Sequence, residues 1–281
     1  MSEASELSFI ILTWNSNRYL PGCLDSIMRK AQEESIDFEV IIIDNGSRDE
    51  TIKTIEQYQH SHPGIFHLIA LPDNRGTTYP RNLGLKKARG EFICVLDSDT
   101  ELAGGTLRSL LSHLTSNADI GIIAPRLLLP DGSVQHSVKR FPTMLDKLMK
   151  LPRIIAGIQT KNSDFYDDFP FTVIKEVDSA ISACWFFQHK LLGTVGYLDE
   201  NIFYAPEDLD YSLRVWQAGL KVLYYPPFTV LHHTQQLSHK KPLSKTSLSH
   251  FWGLIYYYCK HGGWAVRPAH KKKMLADTMG R

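Results

Sequence analysis

The sequence has few of the features that mark several common classes of protein. Its 281 residues include four cysteines, which lie far apart and lack CxxC spacing, so neither a disulfide framework nor a cysteine zinc site is expected. Lys and Arg total 31 against 30 Asp and Glu, and this balance gives no reason to expect nucleic-acid binding. We therefore expect a protein of the reducing cytoplasm that does not bind nucleic acid.

Long apolar runs are also missing. The closest candidate, Phe251–Cys259, has about half of the roughly 20 residues that cross a bilayer and is rich in tyrosine. The first residues, Met1 to Glu6, include two glutamates and no basic residue, which is unlike an export signal. The sequence therefore predicts a chain that is neither secreted nor inserted across a membrane.

Two glycine-rich nucleotide-binding motifs are absent as well. The turn after the first predicted strand has no glycine, which rules out the GxGxxG fingerprint there, and no GxxxxGK[ST] run occurs. A nicotinamide or flavin Rossmann enzyme and a standard P-loop protein are therefore disfavoured. A diphosphate ligand would need another counter-charge, and a divalent metal ion held by carboxylates would supply it.

The first part of the chain alternates short apolar runs with segments of helical periodicity, the pattern of βα units on a parallel sheet. The predicted strands are Leu7–Leu12, Val40–Ile43, Phe66–Ala70, Phe92–Leu96 and Ile120–Ala124. The predicted helices between them are Leu20–Ala31, Asp49–His60, Pro80–Ala88 and Thr106–Leu114. Together they predict an α/β fold with a Rossmann-like, mostly parallel sheet flanked by helices.

The later part of the chain is less regular. Residues 126–176 contain prolines and acidic aromatic segments and are predicted to form an irregular excursion over the ligand-binding face of a domain covering residues 1–239. Within that domain, a helix at Glu207–Ala218 and a strand at Lys221–Tyr225 restore regular structure. Residues 240–281 are predicted to form a C-terminal helical, basic extension. Its aromatic and basic residues suit peripheral membrane contact, a homodimer contact, or packing on the domain.

Polar residues follow three of the predicted strands, at the sheet edge where ligands bind in open α/β folds. The first strand ends in Thr13-Trp14-Asn15, the second in Asp44 and the fourth in Asp97-Ser98-Asp99. Carboxylates two residues apart in extended chain can point the same way, which suits a hard cation and a ribose. These residue types also form turns and helix caps, so a purely local role stays open.

The order of the polar motifs closely resembles glycosyltransferase family 2, which has the GT-A fold. The motifs are TWN, DNGS, N-x-G, RNLG, GE-x4-DSD, ED-x-D and a late histidine, and the resemblance covers about Leu7 to Ser238. Within the family the chain looks most like bacterial rhamnosyltransferases. The resemblance implies metal-dependent, inverting transfer from a nucleotide-diphosphate sugar, with dTDP-rhamnose a candidate. The acceptor would be a glycan or a polyprenyl-linked glycan at the inner face of the cell membrane.

The resemblance also implies roles for residues of the donor site. Thr13, Asn15 and Asp44 would meet the base and ribose, and Asp97 would meet the ribose or the metal ion. The ion, Mn²⁺ or Mg²⁺, would be ligated by Asp99.

The late histidine of the pattern is His232, and it would be a further metal ligand, with His233 an adjacent alternative. Arg81 could meet phosphate oxygens, and Trp185 is a candidate platform for a sugar. Asp208, the second acidic residue of Glu207-Asp208-Leu209-Asp210, would be the general base that takes a proton from the acceptor hydroxyl. Carboxylates at a helix start are also favoured by the helix dipole without any catalytic role.

Two other functions remain compatible with the same residues. A non-catalytic protein that binds a nucleotide or carbohydrate could keep this fold, although it would have no evident need for a base. A sugar nucleotidyltransferase on a related sheet would release pyrophosphate instead of a nucleoside diphosphate.

Overall fold

The computed structural model describes residues 5–145, 166, 169–234 and 245–265. The strands are β1 (Leu7–Thr13), β2 (Phe38–Asp44), β3 (Phe66–Ala70), β4 (Phe92–Asp97), β5 (Thr100–Gly104), β6 (Ile120–Leu128), β7 (Val138–Lys139), β8 (Lys175–Glu176), β9 (Ser179–Ala180), β10 (Cys184–Gln188) and β11 (Lys221–His232). The helices are α1 (Leu20–Glu33), α2 (Thr51–Ser61), α3 (Thr78–Lys87), α4 (Leu107–Ser116), α5 (Leu191–Val195), α6 (Glu207–Gln217) and α7 (Lys245–His261).

One large sheet organises the described residues. Its strand order is β3-β2-β1-β4-β10-β6-β11-β5, with β8 beside β11, while β7 and β9 pair with each other. The first four strands in this order run parallel, and β10 is antiparallel to both β4 and β6. The inner strands β1, β2 and β4 are almost entirely buried, as expected for parallel strands that are covered on both faces.

Two hydrophobic cores lie on opposite faces of this sheet. Alternate residues of β1 separate between them, since Phe9 and Ile11 belong to one core and Ile10 to the other. The first core contains the buried faces of α1 and α4. The second contains those of α3, α6 and α7. The helices thus pack on both sides of the sheet, which leaves the ends of its strands as the place for a site.

Strand β11 changes face part of the way along its length. In its first half, Val222 and Tyr224 belong to the second core, whereas Phe228 and Val230 in its second half belong to the first core. The change occurs where the pairing with β6 shifts register, between Tyr225 and Thr229. The second half also pairs antiparallel with β5.

Helix α7 packs against the start of α6. A Cβ atom added at Gly253 would lie 2.1 Å from the Ala205 backbone oxygen, so the two segments are in direct backbone contact. Near the end of α7, Lys260 Nζ donates to Asp210 Oδ1 at 2.7 Å, and His261 Nε2 lies 2.7 Å from the same oxygen. The helix is therefore joined to α6 and to the segment before it by contacts at Gly253, Lys260 and His261.

The predicted α/β class and its sheet are confirmed, and the predicted strands and helices of the first 128 residues lie within a few residues of the observed ones. The sequence analysis missed β5, whose residues Thr100–Gly104 include a glutamate and a glycine and lack a clear apolar run. The strand predicted at Lys221–Tyr225 continues to His232. Much of the predicted excursion at residues 126–176, and parts of the predicted extension, lie outside the described residues.

Candidate active site

Three parallel strands deliver their last residues to one edge of the sheet. Thr13 at the end of β1 is in register with Asp44 at the end of β2, and Leu12 is in register with Asp97 at the end of β4. This alignment brings the hydroxyl and the two carboxylates predicted as site residues to the same edge. It is the position where open α/β sheets bind ligands.

Asp44 is buried and held by its neighbours. Its Oδ1 atom accepts a hydrogen bond from Thr13 Oγ1 at 3.0 Å, and its Oδ2 atom accepts one from the Ser47 backbone N–H at 2.9 Å. Asn15 is exposed beside it and accepts a hydrogen bond from the Arg48 N–H at 2.8 Å. Asp44 thus has the local turn-forming role that was left open by the sequence. Asn15, beside it, is exposed just after the end of β1.

The loop after β3 is fixed against the segment that precedes α6. Asn45 donates to the Gly76 carbonyl at 2.8 Å. Gly76 has a φ angle of +83°, and a Cβ atom there would lie 2.1 Å from the Phe203 backbone oxygen. A side chain is therefore excluded at Gly76 both by conformation and by contact. Arg75, the neighbouring arginine, is exposed.

Asp97, Asp99 and His232 form a compact acidic cluster suited to a cation. One ligand atom from each of the three lies within 4.8 Å of the others, and His232 Nε2 is 3.4 Å from Asp99 Oδ1. Burial and the nearby charge of Asp99 raise the pKa of the Asp97 carboxyl, against the lowering effect of Arg81. A divalent cation would compensate the repulsion between the two carboxylates, so the residues fit such an ion.

The orientation of the His232 ring leaves one nitrogen facing the carboxylates. Its Nδ1 atom lies 2.8 Å from Gln135 Oε1, and the amide oxygen accepts the Nδ1–H bond, which leaves Nε2 directed to Asp99. Burial lowers the pKa of His232, but the hydrogen bond with Asp99 and the charges of Asp99 and Asp97 outweigh it, so the pKa is raised. His233 is directed elsewhere, with Nε2 2.8 Å from Glu101 Oε1.

Arg81 links the cluster to the start of α6. Its side chain is 3% exposed, and Nη2 donates to Asp97 Oδ1 at 2.5 Å. Nη1 donates to Ser182 Oγ at 2.8 Å and to Glu207 Oε1 at 3.4 Å. The sequence analysis assigned Arg81 to phosphate oxygens, whereas in the structure its guanidinium is buried between protein carboxylates and holds Asp97 in place.

Glu207 and Asp208 open helix α6 and have different partners. Glu207 Oε1 accepts a hydrogen bond from Ser182 Oγ at 2.7 Å. Burial, with the charge of Asp208, raises the Glu207 pKa to about 7, although Arg81 opposes the shift. Asp208 Oδ2 accepts a hydrogen bond from Lys139 Nζ at 2.8 Å. The third carboxylate of this motif, Asp210, points instead toward α7 and is a structural contact.

Trp185 is buried and is not exposed to a ligand as its predicted role requires. It lies in β10, is 2% exposed, and stacks on Tyr211 with ring centroids 5.9 Å apart. Its burial in the second core contradicts the prediction that it offers a platform to a sugar, because no face of the ring is open. Trp185 lies in strand β10, and its position in the sequence does not show that α6 packs over this strand.

Several residues of the site were not predicted. Gln135 and Ser182 were missed because neither belongs to a motif, and Gln135 lies in the stretch without readable periodicity. Lys139 was likewise given no role by the sequence. Their positions follow from long-range contacts, with Gln135 separated by 97 residues from the histidine it contacts.

Comparison with solved structures identifies the architecture. The crystal structure of GalNAc-T7 with UDP, GalNAc and Mn²⁺ matches with a TM-score of 0.68 and 16% sequence identity, covering 92% of this chain and 48% of that chain. This likeness shows the fold, which is GT-A. The predicted fold class is therefore confirmed.

Sequence comparison identifies the family. Residues 8–194 match glycosyl transferase family 2, and the chain belongs to that family. A relative from Mycobacterium tuberculosis, N-acetylglucosaminyl-diphospho-decaprenol L-rhamnosyltransferase, is 25% identical over 93% of this chain and 87% of its own length. The glycosyltransferase YfnE of Bacillus subtilis is 41% identical over 76% of this chain and 61% of its own length. The resemblance inferred from the motifs is confirmed.

No helix among the described residues is both long and apolar enough to cross a membrane.

Proposed function

We propose that this protein is a metal-dependent, inverting glycosyltransferase that moves a sugar from a nucleotide-diphosphate sugar to a hydroxyl group of a glycan or a polyprenyl-linked glycan. The observation that carries the proposal is the connection of two groups of carboxylates through Arg81. Asp97 belongs to the metal-type cluster, and Glu207 precedes the candidate base Asp208. Such an arrangement suits a nucleotide-sugar donor beside Asp97 and an acceptor hydroxyl beside Asp208.

The donor would lie against the ends of β1, β2 and β4. Thr13, Asn15 and Asp44 would contact the nucleoside, with Asp97 near the ribose. Asp99 and His232 would hold the divalent ion, Mn²⁺ or Mg²⁺. When bound, that ion supplies positive charge to the diphosphate as it becomes the leaving group. The presence of Mn²⁺ with UDP in the GalNAc-T7 structure supports this assignment by analogy of fold.

Asp208 would be the general base. The acceptor hydroxyl oxygen would form a bond to the anomeric carbon while the bond from that carbon to the diphosphate oxygen breaks on the opposite face of the sugar. Asp208 would take the hydroxyl proton, and the nucleoside diphosphate would leave. A single displacement of this kind inverts the anomeric configuration. Lys139, which pairs with Asp208 Oδ2 at 2.8 Å, would hold the carboxylate in position for this role.

We further propose dTDP-rhamnose as the donor and a lipid-linked sugar as the acceptor. The Mycobacterium tuberculosis relative is an L-rhamnosyltransferase that acts on N-acetylglucosaminyl-diphospho-decaprenol, and this supports the choice. The site would then work next to a membrane, because a decaprenyl chain keeps such an acceptor in the bilayer. A peripheral location at the inner face of the cell membrane is part of the proposal.

The test is a panel of nucleotide sugars incubated with the purified chain and a glycan acceptor, with and without Mn²⁺. We expect release of the nucleoside diphosphate from one donor only when the metal ion is present, together with a product of inverted configuration. Release of pyrophosphate would instead identify a nucleotidyltransferase. Saturable donor binding without turnover of any donor would identify a binding protein.

A further inference from the structure

Helix α7 is apolar on two faces, and only one of them is covered by the residues that the structure describes. Gly253, Tyr257 and Tyr258 face the second core and are buried. On the outer side, Phe251 is 54% and Trp252 is 60% exposed. Ile255 and Cys259 continue the outer stripe at the spacing of helical turns and are at least partly exposed. A surface helix normally carries polar residues on this side, so a second apolar face indicates a further binding partner.

Exposed aromatic residues also lie in the segment that α7 contacts before α6. Gly253, next to Trp252 in sequence, is in backbone contact with Ala205. Immediately before Ala205, Phe203 is 47% and Tyr204 is 39% exposed, and two residues after it α6 begins with Glu207. Exposed aromatic side chains are therefore present both on α7 and in the segment just before the helix that carries the candidate base.

The positive charge of the C-terminal part of the sequence favours an anionic partner for the outer face of α7. Residues 235–281 contain nine of the 31 Lys and Arg but only one of the 30 Asp and Glu, so the preceding 234 residues have a formal charge of −7. A symmetric homodimer through α7 would bring two copies of this basic sequence together, and their like charges would repel each other. An anionic bilayer, in contrast, attracts basic residues at its surface and accepts tryptophan and phenylalanine at its interface.

We propose that the outer face of α7, centred on Phe251 and Trp252, binds the surface of an anionic lipid bilayer. Bound in this way, α7 would bring the Glu207 end of α6 close to the headgroups, since the two segments are in contact at Gly253 and Ala205. The surface would then present a lipid-linked acceptor to Asp208. Only this last step rests on the proposed function.

The experiment measures binding of the full chain to vesicles by flotation, without donor or acceptor. Vesicles of phosphatidylcholine with phosphatidylglycerol are compared with vesicles of phosphatidylcholine alone, and the ionic strength is varied. We expect binding to the anionic vesicles that weakens as salt is added. The double variant Phe251→Gln, Trp252→Gln should lower the partition coefficient by about tenfold or more, because two interfacial aromatic side chains are lost.

A matched control replaces two exposed apolar residues outside α7. Val173 and Ile174 are 49% and 43% exposed, and the variant Val173→Gln, Ile174→Gln should bind vesicles like the wild type. Circular dichroism and thermal unfolding of both variants check that the fold is intact. Equal binding by the two double variants would overturn the proposal, as would absence of wild-type binding to anionic vesicles. A lipid-free dimer that dissociates in the Phe251, Trp252 variant would assign the face to a second copy instead.

A separate assay distinguishes this inference from the proposed function. The Phe251→Gln, Trp252→Gln variant should keep the wild-type rate with a water-soluble acceptor analogue and lose activity toward a polyprenyl-linked acceptor in vesicles. If no donor is turned over by any form of the protein, the proposed function fails while the vesicle result still stands. If turnover occurs but vesicles are not bound, only the inference about α7 fails.

Discussion

Replacement of Gln135 by leucine tests the metal site through a residue that does not contact the ion. Gln135 Oε1 lies 2.8 Å from His232 Nδ1, and His232 is 8% exposed, so water has little room to replace the amide. Loss of such a partner typically lowers metal affinity by about 10- to 100-fold, since the ring is no longer oriented and its preferred tautomer is lost. We therefore expect the Mn²⁺ dissociation constant of Gln135→Leu to rise by about this factor, or about 1.4–2.7 kcal/mol.

The assay is a Mn²⁺ titration followed by the electron paramagnetic resonance signal of the free ion, so no turnover is needed. Gln135→Glu retains an acceptor oxygen for Nδ1–H and should keep affinity within a few-fold of the wild type. In a His232→Ala background, Gln135→Leu should have no further effect, because it acts through the histidine. Unchanged Mn²⁺ affinity in Gln135→Leu, or an equal loss with His232 already removed, would refute the reasoning.

Three other predictions follow from the described contacts. Asp208→Asn should lower kcat by about 10²- to 10⁴-fold with little change in donor affinity, since it removes a proton acceptor. A wild-type rate in a transfer assay would exclude Asp208 as the base. Gly253→Ala should destabilise the protein by about 1–3 kcal/mol in urea unfolding, because its Cβ would lie 2.1 Å from the Ala205 oxygen, whereas Gly193→Ala, with nothing within 4 Å, should not. Glu207 has a pKa raised from 4.5 to about 7, so the folded state binds more protons between these values and stability should fall as pH rises through that window. The Glu207→Gln variant should flatten this dependence, and an identical pH profile would show that the shift has another origin.

The arrangement of strands and helices around the donor side was predictable because it depends on local patterns. Short continuous apolar runs such as Phe92–Leu96 are typical of strands covered on both faces, and the polar residues that end parallel strands meet at one edge of the sheet. The ordered motifs added His232 to Asp97 and Asp99, and the structure brings all three together.

The contacts that complete the site were less predictable because they join distant parts of the chain. Arg81 contacts Ser182 and Glu207 across 101 and 126 residues, and no local pattern distinguishes a buried arginine that holds carboxylates from one that binds phosphate. Trp185 shows the opposite problem. Its sequence position suits a ligand contact, but the packing of α6 buries it.

The face change in β11 decides the direction of the histidine at the end of this strand. Residues Pro226 to Phe228 have no partner on β6. Before this three-residue insertion the residues with even numbers belong to the second core, and after it they belong to the first. Because side chains alternate along a regular strand, unbroken alternation through Pro226 to Phe228 would place Thr229 to His232 on the opposite face, and the irregular backbone of the insertion turns them to the face they have. The direction of His232 toward Asp99 therefore depends on this local break in the regular geometry of the strand.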